Sequence, residues 1–272
     1  MSYESFFGFH EQPFSNAPES RFFYESRQHS EALVRLMHCI DTMKGLAVMV
    51  GAIGCGKTLL ARKLLENLEA GDKYEAALMV IVHSEITAEW LLRKIALQLG
   101  VKEPGEKKSV ILPQLYERLM EIYEEGKKAV VIIDEANMLV TREMFEEFRG
   151  LLNLEAPGHK LLSITLIGLP DLEQNIALDP PLQQRIALKF TLQSLQEESV
   201  EEYIRHRLHI AGCEKAIFAP GAYKKIFLYS QGIPRLINTI CDNALLESYL
   251  VKQENVSEET IEEVANDLGL KK

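Results

Sequence analysis

One segment of the sequence has the residue types and spacing of a phosphate-binding loop. Residues 51–58 follow the pattern Gly-x-x-x-x-Gly-Lys-Thr, between an apolar run and a helix-favouring run. Glycines let backbone N–H groups turn toward an anion, and the helix N-terminus adds partial positive charge. Lys57 would reach the terminal phosphates and the Thr58 hydroxyl would ligate Mg²⁺. We predict that ATP or ADP binds through Gly51, Ala52, Gly54, Cys55, Gly56, Lys57, Thr58 and Leu59.

A pair of acids follows a second apolar run. Asp134 and Glu135 come directly after residues 129–133, which read as a buried strand. Parallel strands present such residues at their carboxyl ends, where α/β folds bind ligands. Asp134 would then hold Mg²⁺ through water, and Glu135 would orient or deprotonate the attacking water. The alternative is that the two acids cap the next helix, and the upstream phosphate-loop pattern favours the first interpretation.

The remaining pattern predicts two domains. Apolar runs predict five strands near residues 46–50, 77–82, 129–133, 161–167 and 186–192, with helical periodicity between them. From residue 193 onward the pattern predicts helices only. We therefore expect an α/β core over residues 1–192 and an all-helical domain over residues 193–272.

The first 25 residues are rich in aromatic side chains and are interrupted by prolines. They predict an extended segment lying on the core. Tyr24 is a candidate for lining an adenine pocket, and the alternative is that the rings only anchor the segment.

Bulk composition limits the function classes. The 272 residues carry a formal net charge of −10, with a pI near 5.3, which argues against a nucleic-acid partner. The four cysteines are scattered without metal-ligand spacing, as expected for reduced thiols in the cytoplasm. No secretory signal and no apolar run long enough to span a membrane is present.

Together these motifs resemble an AAA+ ATPase. The resemblance is carried by the phosphate loop, the acidic pair, Arg185 in Gln-Arg-Ile and Arg235 in Gly-Ile-Pro-Arg. The N-terminal segment, with Phe-Gly-Phe at residues 7–9 and Pro-Phe at residues 13–14, is similar to the general secretion pathway protein A (ExeA-type) ATPases. These ATPases serve type II secretion, type IV pilus and related envelope machines.

The resemblance implies a P-loop NTPase fold: a three-layer αβα core with a five-stranded parallel sheet and a C-terminal helical lid. It also implies ring-like homo-oligomers with ATP at the subunit interface, envelope-protein partners and a place at the inner face of the inner membrane. Arg185 would be an arginine finger acting on a neighbour's γ-phosphate, with Arg149 as a competing candidate and a surface salt bridge as the alternative. Arg235 would be the lid's sensor. Its place in the first turn of a helix opposes the helix dipole, and a bound anion would remove that conflict.

Two residues depart from the family pattern. Leu169 stands where a polar residue, often Gln, usually senses the γ-phosphate, so hydrolysis is expected to be slow or differently coupled. His83 stands where Asn is usual, and pairing of His83 with Glu135 would add pH sensitivity. Members of the family often continue into a membrane-spanning segment and a peptidoglycan-binding part, and neither is recognised in this sequence.

Two alternatives from other functional classes stay open. The first is an ATP-gated DNA-binding regulator of the transposition-helper type, which shares the core motifs but which the acidic pI disfavours. The second is a scaffold with a nearly silent nucleotide site, suggested by Leu169.

Overall fold

The structure is a computed structural model that describes residues 2–270. Residues 1, 271 and 272, at the ends of the predicted domains, lie outside the described residues. The strands in chain order are β1 Leu46–Gly51, β2 Tyr74–Val80, β3 Lys128–Asp134, β4 Glu155–Ala156, β5 His159–Lys160, β6 Leu162–Gly168 and β7 Ile186–Leu192. The α-helices are α1 Tyr3–Phe7, α2 Arg27–Asp41, α3 Lys57–Glu69, α4 Ala88–Gln98, α5 Lys108–Glu124, α6 Arg142–Leu151, α7 Asp171–Ile176, α8 Pro180–Gln183, α9 Glu197–Ile210, α10 Pro220–Ser230, α11 Pro234–Leu250 and α12 Glu258–Asp267.

The chain divides into two compact units. One unit contains residues 27–53 and 60–192, and the other contains residues 1–26, 54–59 and 193–272. Each unit buries its own cluster of apolar side chains. Among residues 2–270, none of the helices combines the length and the apolar character that a bilayer span requires.

The unit with residues 27–53 and 60–192 is built on a five-stranded parallel sheet in the order β2-β3-β6-β1-β7. The central strands β1, β3 and β6 are apolar runs because both of their faces are buried. Alternate residues of β1 join the apolar cluster with α4, α5 and α6, while α2 contacts β1 and β7. This architecture confirms the predicted αβα core with five parallel strands, and the carboxyl ends of β1 and β3 lie at the same edge with β6 between them.

The described residues of the unit with the N-terminal segment are mostly helical, with irregular backbone over residues 8–19 and 54–56. Its apolar cluster is formed by α9–α12 together with the rings of Phe7, Phe9 and Phe14. The predicted helical character of residues 193 onward is confirmed, because α9, α10, α11 and α12 account for most of that region. Prolines open α10 and α11, where a missing N–H costs nothing, and Ser257 caps α12 by accepting the N–H of Thr260.

The N-terminal segment differs from its prediction in conformation and in placement. It is not simply extended, because it contains α1 and a 3-10 turn at Ser20–Phe22. It also groups with residues 193–272 rather than with the sheet, although the predicted core begins at residue 1. The physical reason is that its aromatic rings are buried among α9–α12, and the Tyr3 hydroxyl donates to Asp242 Oδ1 at 2.6 Å.

Arg207 on α9 fixes this segment. Its guanidinium is 4% exposed and donates to the carbonyl oxygens of Pro13 at 2.5 Å and Ser15 at 2.8 Å. It also donates to the Tyr203 hydroxyl at 3.0 Å and lies 4.6 Å from the Phe22 ring centroid. Buried carbonyls left without donors are costly, so this single side chain determines the path of residues 13–15.

We expect Arg207→Met to destabilise the protein by about 3 kcal/mol, because one buried and one partly buried carbonyl lose a charged donor. For a chain of this size, that corresponds to a thermal midpoint lower by about 6–12 °C. Arg205→Met is the matched control, since Arg205 lies on the same helix, is exposed and contacts the side chains of Glu201 and Tyr223 rather than a buried carbonyl. Calorimetry of both variants tests the prediction, and equal midpoints for the two would contradict it.

Candidate functional site

The phosphate-binding pattern forms a loop between β1 and α3. Gly54 and Gly56 have φ of +80° and +95°, a left-handed backbone that glycine adopts without steric cost. Successive residues of this kind turn their N–H groups to one side and form an anion-binding concavity. Lys57 begins α3 and is 6% exposed, and Cys55 is 2% exposed. Thr58 and Leu59 are half-buried in the first turn of α3, whereas Ala52 is exposed.

Two glycines of the loop are required by close packing. An added Cβ at Gly51 would lie 2.8 Å from the carbonyl oxygen of Leu192, where β7 ends beside β1. At Gly54 it would lie 2.8 Å from Cβ of Arg235 and 3.0 Å from Cγ2 of Ile233. The N–H of Arg235 also donates to the Gly54 carbonyl at 3.3 Å. Arg235, the second residue of α11, therefore contacts the phosphate loop directly.

We expect Gly54→Ala to weaken ATP binding by about 10-fold or more. A left-handed alanine costs about 1–2 kcal/mol, and the contact with Arg235 must open as well. Gly71→Ala is the matched control, because nothing lies within 4 Å of an added Cβ there. Titration with a fluorescent ATP analogue measures the effect. Unchanged affinity of Gly54→Ala would show that the loop does not hold the nucleotide.

The acidic pair lies at the carboxyl end of β3. Asp134 is 1% exposed, and its Oδ1 accepts the N–H of Glu135 at 2.9 Å. Its Oδ2 is buried and has no hydrogen-bond partner among the described residues. A buried carboxylate oxygen without a donor is costly, and a hydrated cation would satisfy it. Among residues 2–270, no cluster of three or more His, Cys, Asp or Glu side chains could hold a metal ion.

Glu135 has a strained backbone. Its φ of 54° and ψ of 34° are left-handed, which costs a non-glycine residue about 1–3 kcal/mol and is concentrated at functional sites. The side chain is half-buried and makes no hydrogen bond in the part of the chain that the structure describes. The turn therefore directs a carboxylate from the sheet edge without tying it to a structural partner.

Asn137 was not singled out by sequence reasoning. Its Oδ1 accepts the N–H of Leu169 at 2.9 Å, and its carbonyl accepts Nδ2 of Asn175 at 3.0 Å. An added Cβ at Gly168 would lie 2.7 Å from the same Oδ1. These contacts join the carboxyl ends of β3 and β6 directly beside Glu135. The available signal was an Asn two residues after the acidic pair, a residue type that often bonds to nearby backbone.

The two departures from the family pattern are differently placed. Leu169 is half-buried at the end of β6, with its N–H bound to Asn137. His83 is exposed, and the described residues show no hydrogen bond between it and Glu135. Pairing of His83 with Glu135 is therefore absent from this structure.

Arg185 and Arg149 are brought together by α8. Arg149 Nε lies 3.1 Å from Oδ2 of Asp179, a carboxylate that is 1% exposed and also caps α8. Arg185 follows α8, is exposed, and donates to Oδ1 of Asn153 at 2.5 Å and to the Arg149 carbonyl at 3.3 Å. Arg149 is thus held by a buried carboxylate, whereas Arg185 donates hydrogen bonds to neutral groups and acts on Glu155 only through its charge, without an ion pair among the described residues. This difference favours Arg185 as the cation available to a ligand.

Tyr24 packs on α9. Its hydroxyl donates to Oε2 of Glu202 at 2.6 Å, and its ring lies edge-on to Tyr203 with centroids 5.8 Å apart. Burial and the hydrogen bond to Glu202 raise the pKa of Tyr24 to about 12, so the phenol is a neutral donor. Its role in lining an adenine pocket stays a prediction.

Comparison with known sequences gives two matches. The family model described as AAA domain matches residues 40–176. General secretion pathway protein A of Aeromonas hydrophila is 36% identical over 252 residues, which cover 91% of this chain and 45% of that protein. The chain therefore spans less than half the length of this relative.

Comparison with solved structures gives the same fold at low identity. Cdc6p from Pyrobaculum aerophilum has a TM-score of 0.72 at 17% identity, over 94% of this chain and 70% of that chain. The Aeropyrum pernix ORC2 protein has a TM-score of 0.68 at 17% identity, over 94% and 71%. The Thermotoga maritima RuvB branch migration motor has a TM-score of 0.56 at 16% identity, over 88% and 69%. At these identities the likeness concerns the fold alone.

Proposed function

The chain belongs to the AAA domain family and, within it, to the general secretion pathway protein A (ExeA-type) ATPases, and from this premise we propose that it binds ATP and hydrolyses it in a Mg²⁺-dependent reaction. The observation that carries the proposal is the left-handed loop at Gly54 and Gly56, which opens onto α3 with Lys57 at its first position. Backbone amides, a helix N-terminus and one ammonium group form the recognition surface of a polyphosphate.

Each polar residue then has one role. Lys57 binds the terminal phosphates, and Thr58 with the unsatisfied Oδ2 of Asp134 would hold Mg²⁺, which neutralises phosphate charge when bound. Glu135 accepts a proton from the attacking water or orients it. Arg235, whose N–H donates to Gly54, places a cation beside the loop in its own chain.

Self-association completes the proposal. Arg185 is exposed and forms no ion pair in the described part of the chain, and its hydrogen bonds go to neutral groups, so its guanidinium is available to a phosphate bound by a neighbouring subunit. A planar, permanently charged fork stabilises the charge that develops on a transferring phosphoryl group. A ring of subunits would place this group in every shared site.

The curated relative is named for the general secretion pathway, and this chain spans 45% of it. We therefore propose that the nucleotide state drives assembly of a secretion or pilus envelope complex, at the inner face of the inner membrane. A nearly silent scaffold is the second candidate, supported by the apolar Leu169 at the end of β6.

Light scattering with and without a non-hydrolysable ATP analogue, combined with phosphate release with and without EDTA, tests these proposals. Oligomers that form with the analogue and turnover that EDTA abolishes would support the ATPase. Tight binding without turnover in the oligomer would favour the scaffold instead. A protein that stays monomeric under every nucleotide condition would reject the shared site.

A further inference from the structure

Strand β7 leaves one side of its backbone unpaired. It is the last strand of the sheet and pairs only with β1 among the described residues. The register shifts between Leu46 and Ala47 of β1, so Ala187 is an extra residue in β7, and regular pairing runs from Leu188 to Leu192. Alternate residues of this stretch direct N–H and C=O groups away from β1. A free edge of this kind is a template for another strand.

The usual protection of an edge strand is weak here. Proteins guard such edges with charges or prolines, and Lys189 is the one charged residue in the sequence of β7, which lacks proline. Lys189 Nζ lies 2.6 Å from Oε2 of Glu173, and that ion pair partly neutralises its charge. Ala187 and Thr191 are also exposed, and neither is large enough to cover the backbone.

A groove runs beside this edge, between β7 and α2. It contains a cavity of about 310 Å³ with an apolar floor that includes Val34, Cys39 and Leu188. Its remaining lining includes the basic side chains Arg35, His38 and Lys44. An added strand would direct every second side chain to one face, so the cavity would receive alternate side chains of a bound peptide.

The charges around the groove determine which kind of peptide would bind there. Arg35 is paired with Glu31 and lies 5.7 Å from the Phe190 ring centroid. Lys44 Nζ lies 3.4 Å from Nε2 of His38, and the described residues offer Lys44 no carboxylate partner. In this contact Nε2 of His38 accepts from the Lys44 ammonium, and a cation without an acid partner favours a carboxylate ligand.

We propose that the β7 edge and this groove bind an extended peptide segment of a partner protein that carries apolar side chains and one acidic side chain at every second position, on the same face. The backbone of the peptide adds to Leu188–Leu192 as a sixth strand. Its apolar side chains enter the groove, and a carboxylate binds Lys44. The proposal is independent of nucleotide chemistry, because every contact lies in α2, β7 and the residue Lys44.

Selection of a displayed library of ~12-residue random peptides tests the chemistry of the partner. The wild-type protein is used for selection and Lys44→Glu for counter-selection. We expect enriched peptides to carry apolar residues and one Asp or Glu at every second position, so that they share one face. Enrichment of basic peptides, of peptides without this period of two, or of none, would overturn the proposal.

A synthetic copy of an enriched peptide then tests the binding mode by fluorescence anisotropy. Methylation of every second backbone nitrogen removes donors but keeps the side chains, and we expect it to weaken binding by at least about 10-fold. Lys44→Glu is expected to do the same, whereas Lys102→Glu, an exposed lysine on the loop before α5, leaves binding unchanged. Equal affinities for the methylated and unmethylated peptides would exclude strand addition. If the protein dimerises without peptide and Lys44→Glu abolishes that dimer, the groove instead binds a second copy of the chain.

Discussion

Replacing Glu135 with Gln is expected to lower ATP turnover by about 10²–10⁴-fold, while ATP affinity changes by less than about threefold. A positioned general base contributes a factor of this size, and an amide of the same shape cannot accept the proton. The Glu135 side chain makes no hydrogen bond among the described residues, and the left-handed backbone is unaltered by the change. The substitution therefore removes a chemical group without removing a structural contact.

Phosphate release measures the rate, and equilibrium titration with a fluorescent ATP analogue measures the affinity. Glu143→Gln is the matched control, because Glu143 is exposed on α6 and the same charge is removed there. Lys57→Ala gives the opposite pattern, with affinity lost by about 100-fold or more as the phosphate-binding ammonium disappears. If Glu135→Gln and Glu143→Gln turn over ATP equally, Glu135 is not the base.

The sheet was predictable because its sequence signal is local. Central parallel strands are buried on both faces, so β1 and β3 appear as apolar runs and β6 as an apolar run that contains Ser163 and Thr165. The edge strand β7 was placed at residues 186–192, as observed. After residue 193 the sequence predicts helices at about residues 197–211, 221–230, 235–251 and 258–268, and α9–α12 agree with these limits to within one residue at either end.

The N-terminal segment was wrongly assigned because its partners are distant in sequence. Arg207 binds the carbonyls of Pro13 and Ser15 across more than 190 residues, and no local pattern signals that contact. The hairpin of β4 and β5 was missed for another reason. Its strands have two residues each, too short for an alternating pattern to appear.

The sequence predicts those parts of the candidate site whose chemistry follows from the spacing of residues. It does not predict those parts that depend on packing between distant segments. The loop and the acidic pair follow from residue types alone, whereas the bonds from Asn137 to Leu169 and from Arg149 to Asp179 follow from which strand ends meet. Of the two competing arginines, Arg149 has the buried partner. The sequence had left that choice open.

Arg185→Ala is expected to reduce turnover by about 10³-fold or more in the oligomer, and Arg185→Lys is expected to fail as well. An arginine finger contributes a factor of this size, and an ammonium group lacks the planar fork. Among the described residues Arg185 donates hydrogen bonds to Asn153 and to the Arg149 carbonyl, so its removal leaves the Arg149–Asp179 pair and the cap of α8 in place. Arg142→Ala, an exposed arginine paired with Glu146, is the matched control.

Mixing two inactive variants tests whether Arg185 acts on a neighbour. The Arg185→Ala variant keeps an intact phosphate loop, and the Lys57→Ala variant keeps Arg185. In a randomly mixed ring, about a quarter of the interfaces combine an intact loop with an intact finger, so we expect up to about a quarter of wild-type turnover to return. Affinity capture of one tagged variant confirms that mixed oligomers form. Mixed oligomers that stay inactive would place Arg185 outside the shared site, because a group acting across the interface must restore some turnover.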